Sequence, residues 1–494
     1  MRRAAEIELA LGPKTPGDSL QQWLYAELRG AILSGRLAAD TRLPATRELA
    51  RQQGVSRGTV LAAYEQLTAE GYLVGMTGRG TRVSAALPTP GRPSAPAAPL
   101  AELPRPLSRQ GALLAASPFP RSEPSATLRC FRPNQPDLST FPSAIWNRIV
   151  ARRANALRPE RMGYGDAAGY LPLREAIAAH VQYSQRIVCH AGQVMILGSA
   201  QQGLDLAARL LLDAGDTVLL EDPGYPGAKR IFELTGARVQ GVPVDALGMD
   251  VAAGIAAAPA ARLAYVTAAH QSPMGMALSL ERRLALLAWA AARGAVIIED
   301  DYDGEYRYAG TPLAALKSLD TQGSVIYLGS FSKLLFPALR LAYMVVPEWL
   351  AEPFAGALSL SCRHTPLQSQ HVLSEFIAEG HFARHLRAMR QNYGERGGVL
   401  AEACRQQLAG ALTLLPISTG LDATALLQDL DDNVVSAALA TAGIDSRSLS
   451  FYGIARKPPS GLVLGFSALT PAAIRDGVTA MARVIETLPR KGCV

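Results

Sequence analysis

No stretch of eighteen or more uninterrupted apolar residues occurs in this 494-residue chain, which argues against an ordinary membrane-spanning helix, and no membrane partner is expected. The N-terminal segment MRRAAEIELALGPK breaks its short apolar run with Glu6 and Glu8, unlike a secretory signal. A cysteine framework is also missing. Cys130, Cys189, Cys362, Cys404 and Cys493 are scattered, odd in number and never spaced as metal ligands. That pattern excludes a disulfide scaffold or cysteine-held metal site and leads us to expect reduced thiols in a cytoplasmic protein. Charge is modest: 18% of residues are charged and the net charge of +7 is spread over a long chain. It is compatible with a polyanionic partner but does not specify one. What remains is a 49% hydrophobic chain, too long for one ordinary domain and suited to two or more.

Composition divides it. Residues 85–127 are crowded with proline, alanine and serine and show no sustained period of 3.6 or 2, which predicts a semi-rigid linker extending roughly 3 Å per residue. A small domain is expected at 15–84 and a large one at 128–490. In the large part, VMILG, TVLLED, RLAYVT, AVIIED, SVIYLGS and AYMVVP are separated by amphipathic stretches such as SLERRLALLAWAAARG. Such alternation predicts an α/β architecture with a mainly parallel sheet covered on both faces. Binding residues then belong at the carboxyl ends of the strands.

In the small domain, residues 19–33 put Leu20, Leu24, Leu28 and Ile32 on one helical stripe. TRELARQQ predicts a second helix, Gly54 ends it, and Ser56 is placed to cap a third that sends Val60, Tyr64 and Leu67 inward. Arg57, Thr59 and the helix's first amides are left facing outward, as a major-groove reader requires. YLVGMTGRGTRVS adds two strand-like runs with a cation at the hairpin tip. The stretch LPATRELARQQGVSRGTVLAAYEQLTAEGYLVGMTGRGTRV resembles the winged helix-turn-helix domain of the GntR superfamily. The resemblance implies that Arg47, Ser56, Arg57, Thr59, Thr77, Gly78 and Arg79 occupy DNA-contacting positions on double-stranded operator DNA. Ala45 stands where the family often has a capping serine, and Leu61 where some members carry a base-contacting arginine.

In GSFSKLLFPALR, small hydroxyl residues flank Lys333, and Arg340 follows seven residues later. A lysine amine condenses with an aldehyde, chemistry that pyridoxal phosphate most often exploits. Such a cofactor needs phosphate donors, a carboxylate for its ring nitrogen, a donor to its phenolic oxygen and a stacking aromatic. Ser330, Ser332, Arg340 and the helix-opening Ala200 and Gln201 suit the phosphate. Asp300 ends an apolar strand, Tyr302 is two residues on, and Tyr225 in EDPGYPG is a stacking candidate. GSAQQGLDL, EDPGYPG, IEDDYDGEYRY and YLGSFSKLLFPALRLAYMV together resemble fold type I aminotransferases. That resemblance implies Lys333 as the Schiff-base lysine, Asp300 as the pyridinium partner, Tyr302 as the phenolate partner and Tyr225 as the stacking ring. It also implies that Tyr164 reaches the phosphate of a neighbouring subunit, making the working unit a homodimer.

Both halves together resemble the MocR/PdxR-type regulators, in which a GntR-like reader is joined to an aminotransferase-like domain. FRPNQPDLSTFPSAIWNR, AHQSPMG and EGHFARHLRAMRQNYGER agree with them. Three departures bear on activity. Val463 falls where aminotransferases hold the substrate carboxylate with arginine, Gly227 where an amino-acid-sensing member has a second arginine, and Ser272 where an asparagine meets the phenolic oxygen. Arg447 and Arg456 are the remaining candidates for a carboxylate clamp. Loss of a bidentate clamp argues against efficient amino-acid turnover. The expectation is a regulator sensing pyridoxal phosphate or an amine or amino-acid effector; the alternative is an active aminotransferase with an accessory DNA-binding domain.

Overall fold

The computed structural model describes residues 11–12, 19–76, 80–86, 107–116, 130–156, 158–159, 162–309 and 313–490. The chain forms two compact units, residues 1–106 and 107–494. Among the described residues no helix is long and apolar enough to cross a membrane.

The first unit contains α1 (Leu20–Leu33), α2 (Thr46–Gln53), α3 (Arg57–Ala69) and an antiparallel pair, β1 (Leu73–Met76) and β2 (Gly80–Val83). Local chemistry sets the boundaries. Ser19 and Gln22 form a reciprocal capping box at the start of α1, satisfying amides that the helix leaves unpaired. Gly54 ends α2 in the left-handed conformation at φ 63°, which glycine adopts without a steric penalty. The Ser56 hydroxyl accepts the Thr59 N–H at 3.1 Å and starts α3. Leu24, Leu28, Leu49, Val60, Tyr64 and Leu67 form the core, each fully buried leucine contributing roughly 1.5–3 kcal/mol. Thr77, Gly78 and Arg79 lie outside the described residues.

In the second unit an eight-stranded sheet has the order β3-β10-β9-β8-β7-β4-β5-β6. Its strands are β3 (Val194–Leu197), β4 (Thr217–Asp222), β5 (Arg238–Asp245), β6 (Gly248–Met249), β7 (Leu263–Val266), β8 (Val296–Asp301), β9 (Val325–Ser330) and β10 (Ala342–Val345). The β5-β4-β7-β8-β9 run is parallel, while β10 is antiparallel to both β9 and β3. Consequently β3 runs in the same direction as β9, and their carboxyl ends share an edge. Alternation along each strand fills both faces. Ile298 packs with Leu204 and Phe232, whereas Ile297 packs with Leu286 and Trp289. A smaller antiparallel sheet follows in the order β11-β12-β14-β13, comprising β11 (Leu412–Leu414), β12 (Asp422–Leu427), β13 (Arg447–Ser448) and β14 (Gly461–Gly465).

The segment expected as a linker contains a helix, Arg109–Ala115, capped by Ser108 and belonging to the second unit. Seven residues make only two turns, too few to show a period against proline-rich surroundings. β5 also lacked an apolar run to announce it, since Gln240, Gly241 and Pro243 interrupt RVQGVPVD.

Ala45 caps α2 with no side-chain hydrogen bond. Ala45→Ser is expected to stabilise α2 by about 1 kcal/mol, slowing amide hydrogen exchange in its first turn roughly fivefold; an unchanged exchange rate contradicts the missing cap.

Candidate functional site

Strand ends and helix starts converge at one cavity. Lys333 lies in the one-turn helix Phe331–Leu334 that directly follows β9, and the Ser330 hydroxyl opens that helix by accepting the Ser332 N–H at 3.2 Å. Beside it, Ser199 caps the helix Ala200–Leu211 after β3 by accepting the Gln202 N–H at 3.1 Å. The cavity, about 1040 Å³, is lined by Ala200, Gln201, Tyr225, Ser330, Ser332, Lys333 and Arg340. Ser108, Gln110, Gly111 and Leu114 also line it, bringing the helix of the proline-rich segment to its wall. The Gln110 amide donates to the Leu234 carbonyl at 3.2 Å.

Lys333 Nζ donates to the Asn134 carbonyl at 3.0 Å, while the Asn134 N–H donates to Asp422 Oδ1 at 2.8 Å. Burial lowers the lysine's pKa, opposed by the charges of Asp422 and Asp303. A larger fraction of the amine is therefore neutral and nucleophilic. Asp422 is itself pushed up to about 6, first by burial, with the Asn134 hydrogen bond and Lys333 pulling it back.

Asp300, at the end of β8, is buried; Tyr265 OH donates to its Oδ2 at 2.6 Å. Its Oδ1 is buried without a hydrogen-bond partner, an arrangement that costs free energy unless a donor arrives. Burial raises this carboxyl to about 7, against the bond from Tyr265. A protonated nitrogen at Oδ1 would favour the carboxylate and draw the pKa down.

Tyr302 lies beside His270, its hydroxyl 3.2 Å from Nδ1 and the rings stacked at 5.7 Å. The same His270 nitrogen is 2.8 Å from Asp303 Oδ1. Burial alone would lower the pKa of His270, but Asp303 raises it overall. Tyr164 is outside the cavity, 82% exposed, with the Arg363 guanidinium 5.2 Å from its ring centre. Arg340 is exposed at the cavity edge with a left-handed φ of 53°, a conformation that costs a non-glycine residue about 1–2 kcal/mol.

Asn134, His270, Asp303, Asp422 and Tyr265 were not assigned roles from sequence. Asp422 carried a usable signal, a charge within the apolar strand LDATALL. Asn134 carried none, since it meets Lys333 from 199 positions away.

The departures also have physical settings. Val463 is buried in an apolar cluster with Leu449 and Tyr452. Arg447 is its partner on β13, but the Arg447 guanidinium lies 4.8 Å from the Phe451 ring centre. Arg456 is exposed, its backbone N–H donating to Asp222 Oδ2 at 2.9 Å. A Cβ at Gly227 would lie 2.4 Å from the Tyr225 ring, so this ring position is incompatible with any side chain there. Tyr225 is tied down by its hydroxyl's hydrogen bond to Gln201 at 3.2 Å, and Gln201 donates to the Gly227 carbonyl at 2.9 Å.

In the small unit, Arg47 and Arg57 are exposed on α2 and α3, while the Ser56 and Thr59 hydroxyl oxygens are 2.8 Å apart. These positions present a cationic helix start outward.

Comparisons with known proteins cover both units. The family model for bacterial regulatory proteins of the gntR family matches residues 20–83, and that for aminotransferase class I and II matches 133–478. The probable rhizopine catabolism regulatory protein MocR of Rhizobium meliloti is 37% identical, covering 96% of this chain and 95% of that protein. The pyridoxine biosynthesis transcriptional regulator PdxR of Corynebacterium glutamicum is 32% identical, covering 94% and 95%. Among solved structures, kynurenine aminotransferase from Pyrococcus horikoshii, in complex with PMP, aligns with a TM-score of 0.67 and 25% identity over 73% of this chain and 91% of its own.

Gly227→Ala is expected to destabilise the protein by about 1–3 kcal/mol through overpacking against Tyr225. In a Tyr225→Ala background the cost should fall by at least half, because the two positions are coupled. Urea unfolding of the four variants measures this; an equal cost in both backgrounds removes the proposed contact.

Proposed function

Because the chain belongs to the MocR-type regulators, which join a GntR-family DNA-binding domain to an aminotransferase class I and II domain, we propose that it regulates transcription by sensing pyridoxal phosphate. An amine or amino-acid effector acting at the same site is the wider form of this reading. The observation that carries it is the half-satisfied carboxylate of Asp300. A buried acceptor without a donor, at a strand end beside a cavity that contains a lysine, fits the protonated ring nitrogen of this cofactor. When bound, pyridoxal phosphate supplies an aldehyde for a lysine amine and an anionic phosphate.

This chain's residues would divide the work as follows. Lys333 offers an amine whose neutral form is favoured by burial. Asp300 would hold the ring nitrogen, and Tyr302 with Ser272 would face the phenolic oxygen. Ser330, Ser332, Arg340 and the amides of Ala200 and Gln201 would bind the phosphate, aided by the positive end of the Ala200–Leu211 helix. Tyr225 would cover the ring. The exposed Tyr164 and Arg363 support a homodimer in which Tyr164 completes the partner's phosphate site. Arg47, Ser56, Arg57, Thr59, Thr77, Gly78 and Arg79 would contact operator DNA in the cytoplasm.

Sensing is favoured over turnover by the surroundings of Val463. A bidentate arginine is replaced there by an apolar cluster, leaving little to orient an amino acid's carboxylate for proton transfer. Ligand binding would instead shift the balance between arrangements that differ in DNA affinity.

Pyridoxal phosphate added to the full-length protein is expected to give a visible absorption band that Lys333→Ala lacks. Asp300→Asn should weaken binding roughly ten- to a hundredfold, the range for a hydrogen bond to a charged group of about 1.5–3 kcal/mol. No band in the wild type contradicts the cofactor assignment. Footprinting the fragment upstream of the coding region should give discrete protection that changes with pyridoxal phosphate. Sequence-independent protection under both conditions contradicts the regulatory reading.

A further inference from the structure

The outward face of α3 carries an apolar side chain in its first turns, before the exposed Glu65, Gln66 and Thr68 farther along the helix. Val60, Ala63, Tyr64 and Leu67 are buried. The opposite face begins with the exposed Arg57 and Gly58, continues with Leu61, 44% exposed, and reaches Glu65 one turn later. Positions 57, 61 and 65 are separated by four residues and lie in one row. The two hydroxyls beside this row, Ser56 and Thr59, are 2.8 Å apart, and Ser56 also caps the helix. An exposed leucine alone is ordinary on a protein surface. Here it sits within the first turns of the helix that a helix-turn-helix protein places in the major groove.

Gly58 is a second, separate observation. It has no positive φ, and a Cβ there would meet only Ser56 Oγ at 3.7 Å. Neither conformation nor internal packing therefore requires glycine at this second position of the helix. Its bare backbone, three residues before Leu61, leaves space for a partner to approach this face closely.

In the major groove each base pair presents polar edges, and thymine alone among the standard bases adds a C5-methyl group. Leu61 has no polar side-chain atom with which to distinguish the edges. We propose that Leu61 is a specificity-determining residue that recognises a thymine methyl group, with Gly58 allowing the groove edge to come close enough for contact. Arg57, one turn before it, remains available for a phosphate or a guanine edge. The proposal rests on the family's DNA binding and not on the cofactor reading, so loss of pyridoxal phosphate binding would leave it unaffected.

Full-length protein is used to select duplexes from a random pool, and each thymine of the best duplex is then replaced singly by deoxyuridine, which lacks only the methyl group. At one thymine position the wild type is expected to lose about fourfold in affinity, the effect of leaving one methyl-sized contact unburied. Leu61→Ala should bind the thymine and uracil duplexes equally at that position, while Leu61→Met restores the discrimination. Retention of the same thymine preference by Leu61→Ala overturns the proposal, as does a wild type insensitive to every thymine-to-uracil replacement.

Discussion

The parallel pairing of β8 with β9, which sets Asp300 opposite Leu328 and Asp301 opposite Gly329, is the constraint on which the large unit's site depends. It brings the buried carboxylate of one strand level with the turn that presents Ser330, Ser332 and Lys333. A slip of one residue would reverse the faces of the strand and move Asp300 away from its polar setting. The apolar alternation of Ile297 and Ile298 resists that slip because both faces are packed. A continuous core thus holds a carboxylate where solvent cannot satisfy it.

Electrostatics around that edge explain why the parts belong together. Lys333 is desolvated but has Asp422 and Asp303 for neighbours, and its hydrogen bond leads through Asn134 back to Asp422. Asp300 has one oxygen engaged by Tyr265 and the other left open. A lysine whose pKa burial lowers and a buried acceptor without a donor would both suit an aldehyde on a protonated ring. In the proposed reading, the apolar cluster at Val463 would allow capture without the orientation that amino-acid turnover requires.

Much of this organisation was legible in the sequence because it rests on local patterns. Apolar runs marked β3, β4 and β7 to β10, and the Ser56 cap marked α3. Asp300 and Lys333 were visible because each follows an apolar run at a strand's end. Asn134 and Asp422 reach Lys333 only through tertiary folding; Asp422 is marked locally as a charge on an apolar strand, whereas nothing local announces Asn134. Tyr302 was singled out from its spacing after Asp300, but its contact with His270 depends on a bend after β8 that strand periodicity does not describe. The helix Arg109–Ala115 was hidden by its length. Its position at the cavity wall puts part of the proline-rich segment next to the residues proposed to bind the effector.

The central claim is that occupancy of the Lys333 site and operator binding are coupled, and linkage gives that claim a strict form. The decisive measurement is the affinity of the full-length protein for pyridoxal phosphate with and without saturating operator duplex, set beside its affinity for that duplex with and without pyridoxal phosphate. The two ratios should agree and differ clearly from one, with coupling typically about 5- to 150-fold. Ratios of one, from a protein that binds both ligands, would contradict the account.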